Sequence, residues 1–104
     1  VADYDEALKN ANNVVIEAQG EIVEVDKAAV HYDRGNALYE LKKLDEAVAS
    51  YTSAIAIDGR FAPAYNNRGV VRFELGDKPA ACADRTKACE LGFTSACKWT
   101  KANC

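Results

Sequence analysis

Residues 28–61, AAVHYDRGNALYELKKLDEAVASYTSAIAIDGRF, decide the fold once they are laid over residues 62–95, APAYNNRGVVRFELGDKPAACADRTKACELGFTS, at a shift of 34. Arg34 and Gly35 fall on Arg68 and Gly69, Glu40 and Leu41 on Glu74 and Leu75, Ala47 on Ala81, Ala49 on Ala83, Thr52 on Thr86, and Ala54 on Ala88. A fixed period of this length marks a repeat architecture, in which each unit buries its apolar face against the next. A second shift sets Tyr65 over Trp99 and Ala62 over Ala96, so residues 96–104 begin a third unit and stop.

Inside each unit the apolar spacing is helical. Val30, Ala37, Leu38 and Leu41 share one face, and after KKLD the set Ala47, Val48, Tyr51, Ala54 and Ile55 does the same. Each unit therefore reads as two amphipathic helices joined by a tight turn. In the second unit the turn is LGDKP, where Gly76 suits a left-handed helix cap and Pro79 the first turn of the next helix. Gly35 or Gly69 on the first helix, facing Ala47 with Ala54 or Ala81 with Ala88 on the second, lets two helix axes approach closely. Residues 1–27 fit the period less well. DYDEAL looks like the second helix of an earlier, truncated unit, and the spacing predicts a long N-terminal helix broken at Gly20.

Composition excludes several classes of function. The 104 residues are 49% hydrophobic and 28% charged, ordinary for one globular domain. The net charge of −3 is scattered along the chain, which argues against nucleic acid or an anionic membrane surface as partner. Apolar runs such as NVVIEA fall far short of the roughly 20 residues of a membrane span. The sequence starts at Val1 and contains no Met, as expected of a processed or excised piece, and a removed secretion signal fits.

The repeat resembles the tetratricopeptide family, whose 34-residue unit carries an aromatic, a Leu-Gly, a Tyr, then Ala, an aromatic, Ala and Pro at set offsets. His31 or Tyr65 takes the first aromatic position, Gly35 or Gly69 the glycine, and Ala47, Tyr51 and Ala54 the later ones. The departures are Arg34 and Arg68 for the leucine, Gly59 and Phe93 for the proline, and Arg85 for the later aromatic. The resemblance implies an all-α fold of helical hairpin repeats stacked as a short right-handed solenoid, without catalytic residues or cofactor. The expected organisation is one domain over 1–104: an N-terminal helix or truncated repeat over 1–27, repeats over 28–61 and 62–95, and a capping helix over 96–104.

All four cysteines lie in the last quarter of the chain. In the repeat frame Cys82 and Cys89 share a face of one helix and Cys97 and Cys104 a face of the next. Antiparallel packing about a turn at Phe93 sets Cys89 level with Cys97 and Cys82 level with Cys104. The two rungs are about 10 Å apart along the helix, beyond the roughly 7 Å between Cα atoms that a disulfide tolerates. Two disulfides, Cys89 to Cys97 and Cys82 to Cys104, are the pairing compatible with this frame. Free buried thiols and a structural zinc site are the alternatives. The run ACELGFTSAC also looks like the cysteine-rich Sel-like repeats, in which a short cysteine pair ties adjacent helices. Paired cysteines imply an oxidising compartment, periplasmic or secreted.

No catalytic constellation emerges. His31, the sole histidine, falls in the aromatic packing position, and Asp45 with Glu46 reads as a solvated helix start. What remains is surface. The family's concave face is lined by the first helix of each unit, and the corresponding residues are Tyr32, Asn36, Tyr39, Glu40, Asn66, Val70, Phe73 and Glu74. Aromatic rings and amides in a groove suit an extended peptide. In some family members a basic and asparagine set clamps a peptide's terminal carboxylate. Asn36 and Asn67 match two of those places and Lys101 a third, whereas Tyr32 stands where a lysine would be needed. The expected function is a protein-protein interaction module binding a peptide or protein partner in this groove. A structural or self-associating scaffold is the alternative, and a thiol redox or metal-binding protein a further one.

Overall fold

The computed structural model describes residues 13–18 and 21–104. Two strands, β1 (Asn13–Ala18) and β2 (Glu21–Asp26), precede five helices: α1 (Lys27–Glu40), α2 (Leu44–Ile57), α3 (Ala62–Glu74), α4 (Lys78–Glu90) and α5 (Thr94–Asn103). The strands pair antiparallel, from Asn13 opposite Asp26 to Ala18 opposite Glu21. A helix was expected over this stretch, and the hairpin corrects that expectation for residues 13–18 and 21–26. NVVIEA and EIVEVD are rich in β-branched residues, and the second alternates apolar and polar at period two, a strand signal rather than a helical one. The expected break at Gly20 and the DYDEAL segment lie outside the described residues.

From Lys27 onward the chain is a series of packed helical hairpins, α1 with α2, α3 with α4, and α4 with α5, with α2 against α3 between the repeats. Asp26 starts α1 by accepting from the backbone N–H groups of Ala28 (3.0 Å) and Ala29 (3.3 Å). Asp77 does the same for α4 through Ala80 N–H at 3.2 Å, with Pro79 in the first turn. The hairpin turns close by one mechanism. Gly76 takes a φ of 87°, and its N–H and that of Asp77 return to Phe73 and Arg72 carbonyls. Lys42 occupies the corresponding left-handed position of the first repeat at φ 62°.

A third turn of this type departs from the 34-residue frame. Gly92 adopts φ 101°, and the N–H groups of Gly92 and Phe93 return to Cys89 and Ala88. The equivalent residue one repeat earlier is Asp58, which instead holds a wider α2–α3 connection through Phe61 N–H to its carbonyl and Arg60 N–H to its side chain. The glycine cap lets α5 begin at Thr94, two residues before the position that corresponds to Ala62.

Close helix approach rests on the two helical glycines. A Cβ at Gly35 would meet the Tyr51 ring at 2.6 Å, and one at Gly69 would meet Arg85 Cγ at 2.6 Å and the Ala81 carbonyl at 3.2 Å. The core is small: Ala28, Ala47, Tyr51, Ala54, Ala64, Val71, Ala81, Ala88 and Ala96 are buried. Between α3 and α4 lies a charged cluster. Asp84, 4% exposed, receives Arg68 Nε at 2.9 Å and Nη2 at 2.7 Å, and Arg72 Nη1 at 2.9 Å. Arg68 thus occupies the leucine position of the repeat as one half of a bidentate ion pair. At the C-terminal end, disulfides join Cys82 to Cys104 and Cys89 to Cys97, with Cα atoms 6.0 and 4.8 Å apart.

Candidate functional site

Tyr51 leaves α2 and crosses α1 at Gly35, where the missing Cβ gives its ring room. Its hydroxyl emerges on the far side and donates to Asn36 Oδ1. Asn67, on α3, donates from Nδ2 to the same Asn36 oxygen at 3.0 Å and to the Tyr32 hydroxyl at 3.1 Å. The three helices therefore meet in one polar knot. Asn36 Oδ1 accepts twice, and among the described residues Asn36 Nδ2 has no acceptor. The knot lies at the floor of a concave cavity of about 310 Å³ lined by Asn36, Tyr39, Glu40, Tyr51, Asn67, Val70 and Val71.

The electrostatics follow from burial. Tyr51 is fully buried at 1% exposure, and desolvation pushes its pKa up to about 12, against a weaker opposing effect from the Asn67 amide. The Tyr39 hydroxyl donates to Glu74 Oε1 at 3.0 Å, and this bond, with burial and the carboxylate charge, raises the Tyr39 pKa. That contact ties α1 to α3 across the groove rim.

The eight residues read from the sequence as groove-lining divide. Asn36, Tyr39, Glu40 and Val70 line the cavity. Tyr32 stands behind it, its ring against Tyr51 and Phe61 at centroid distances of 5.9 and 5.2 Å. Glu74 is at the rim through Tyr39. Asn66 is corrected: at 8% exposure it is buried, it donates to Asn67 Oδ1 at 3.3 Å, and its Oδ1 has no partner among the described residues. Phe73 belongs to a second cluster, where its ring meets Trp99 edge-on at 5.4 Å and Trp99 in turn lies 4.3 Å from the Arg85 guanidinium. Burial lowers the Arg85 pKa, and its Nε has no partner among the described residues. Lys101 stands apart from Asn36 and Asn67, beside the disulfides.

Tyr51 and Val71 are cavity residues that the groove reading missed, and Asn67 entered only as a clamp position. A signal existed for two of them. Tyr51 lies 16 residues beyond a helical glycine, so a ring can pass over that glycine. Asn67 lies 31 residues from Asn36 and 35 from Tyr32, one repeat less or more a fraction of a helical turn, so it falls beside both on the neighbouring first helix.

No group of three or more His, Cys, Asp or Glu residues among the described residues is placed to hold a metal ion. Among those residues no helix is long and apolar enough to cross a membrane.

Comparison with known proteins agrees with the helical-hairpin fold. A family model described as TPR repeat matches residues 35–76. Hsp70-Hsp90 organizing protein 1 of Glycine max is 37% identical over 62 residues, which cover 60% of this chain and 11% of that protein. A solved structure, the first TPR of Spaghetti (RPAP3) bound to HSP90 peptide SRMEEVD, superposes with a TM-score of 0.69 at 28% identity, covering 73% of this chain and 62% of that one. The chain thus spans only a small part of the curated relative. The relatives named here do not confirm the Sel-like resemblance of the cysteine run. In its 34-residue repeat and its packed helical hairpins, this chain is similar to the tetratricopeptide-repeat proteins.

Proposed function

We propose that the chain is a non-catalytic protein-binding module whose concave face holds an extended peptide segment of a partner. One observation carries this reading: in a concave cavity of about 310 Å³, Asn36 Nδ2 has no acceptor among the described residues, while its own Oδ1 is held by Tyr51 and Asn67. A side-chain amide so held offers N–H donors to a peptide carbonyl at little ordering cost. Tyr39 and Val70 cover an adjacent apolar side chain. The similar solved TPR holds a peptide, which supports the same use of this face.

The disulfides support a further element of the proposal, an oxidising home such as a periplasm or the cell exterior, since cytosolic glutathione keeps accessible bridges reduced.

The test is a peptide array that includes SRMEEVD, probed with the native chain and with Asn36→Ala and Asn67→Ala variants of matched helicity. Loss of about 1–2 kcal/mol of binding in both variants is expected for residues at the centre of a contact. Equal binding by native and variant chains refutes the groove.

A further inference from the structure

The closing helix is held differently from the others. Of its ten residues only Ala96 is buried. By contrast α2 buries Ala47, Ser50, Tyr51 and Ala54, and α4 buries Ala81, Asp84 and Ala88. Apart from Ala96, α5 has the half-buried Trp99 against Arg85 and Phe73, and the two disulfides to α4. Ten residues are fewer than the roughly 12–15 an isolated helix needs in water, so α5 depends on what docks it.

The disulfides also lie where a reagent can reach them. Cys89, Cys97 and Cys104 line an open concavity of about 490 Å³, and Lys98 and Lys101 share its wall. Ammonium groups beside a disulfide favour the thiolate that leaves when the bond is attacked.

We propose that this ladder is a thiol–disulfide switch: a small dithiol opens both bonds, and α5 undocks while α1 to α4 keep their packing. In each bond the dithiol's thiolate attacks one cysteine sulfur, forming a mixed disulfide and expelling the other cysteine as thiolate. The reagent's second thiol then attacks the mixed disulfide and releases the first cysteine. Two electrons pass from dithiol to protein per bond, and the protein thiolates take up the protons the reagent loses. Undocking withdraws Trp99 from Phe73 and Arg85. The cavity at Asn36 and Asn67 persists, because none of its lining residues is on α5.

Trp99 is the sole tryptophan, so its emission reports α5 alone. The experiment treats the full chain with dithiothreitol, counts thiols by alkylation and mass, and follows Trp99 emission with amide hydrogen exchange. The expected result is four new thiols, a red-shifted Trp99, and loss of protection confined to residues 94–103. Complete reduction with an unchanged Trp99 spectrum overturns the switch, and so does loss of protection throughout α1 to α4. Lys98→Gln with Lys101→Gln should slow reduction several-fold at low salt, with native emission before reductant is added. An unchanged rate overturns the role given to the lysines. Single-rung variants, Cys82→Ser with Cys104→Ser and Cys89→Ser with Cys97→Ser, should each keep Trp99 docked until the remaining bond is reduced. Undocking before reductant is added, in either variant, overturns the latch as a pair.

Discussion

Gly35→Ala is the sharpest perturbation the geometry offers, because two effects of opposite sign meet at one atom. In an exposed helix interior the change stabilises by about 1 kcal/mol, since glycine is the weaker helix former. Here the added methyl would sit 2.6 Å from Tyr51 Cε1, 2.7 Å from Cδ1 and 3.0 Å from Cζ. Tyr51 is 1% exposed and its hydroxyl is bonded to Asn36, so the ring cannot step aside without breaking that bond or displacing α2. Overpacking of this kind costs about 1–3 kcal/mol, and the buried hydrogen bond adds about 0.5–1.5 kcal/mol if it is lost. Against the propensity gain, the net expectation with the bond lost is a destabilisation of about 0.5–3.5 kcal/mol. For a domain of this size each kcal/mol lowers Tm by about 4–8 °C. Gly69→Ala is the parallel case in the second repeat. Its methyl meets Arg85 Cγ at 2.6 Å and the Ala81 carbonyl and Asp84 Cβ at 3.2 Å each, so it should lose stability as well. Thermal melts by circular dichroism on both variants, and on Gly35→Ala combined with Tyr51→Leu, decide the matter. The double variant should melt above Gly35→Ala. A Gly35→Ala protein that melts at or above the native one refutes the ring-over-glycine packing.

Other expectations follow from the same contacts. Asp84→Ala strips a 4%-exposed carboxylate from two arginines and leaves the Arg68 guanidinium, on a side chain only 13% exposed, without its counter-charge, so chemical denaturation should show a loss of about 3–5 kcal/mol, the usual cost of breaking one side of a buried pair. A loss below about 1 kcal/mol would mean that solvent reaches the cluster. Tyr51 sets an alkaline limit: its folded pKa, about 12, lies above the ordinary value of 10.0, so the folded state retains its proton where the unfolded state has lost it. Stability from this residue is complete below pH 10 and falls as pH rises toward about 12. Rapid alkaline denaturation of native and Tyr51→Phe chains checks this, and the variant should show a shallower fall.

The repeat, its two helical hairpins and the cap at Gly76 were legible in the sequence because each depends on neighbours within one unit: the 3.6-residue apolar spacing, the glycine that tolerates a positive φ, and the acidic or proline residue that starts a helix. The N-terminal strands carried a readable signal as well, in the β-branched NVVIEA and the alternating EIVEVD, but extending the helical repeat backward overrode it. Tertiary structure alone decided which polar residues face the groove. Asn66 and Asn67 are adjacent on one helix, yet the first is buried and the second lines the cavity with Asn36, because the crossing of α1 and α3 sets their surroundings. The same holds for Tyr51, which belongs to the second helix of its unit and reaches the concave side only where Gly35 lets it pass. It also holds for Arg68 and Asp84, whose pairing needs α3 and α4 brought together. Periodicity along a chain fixes which side of a helix is apolar, whereas the distance and angle at which two helices meet decide which side chain is covered and which is offered to a ligand.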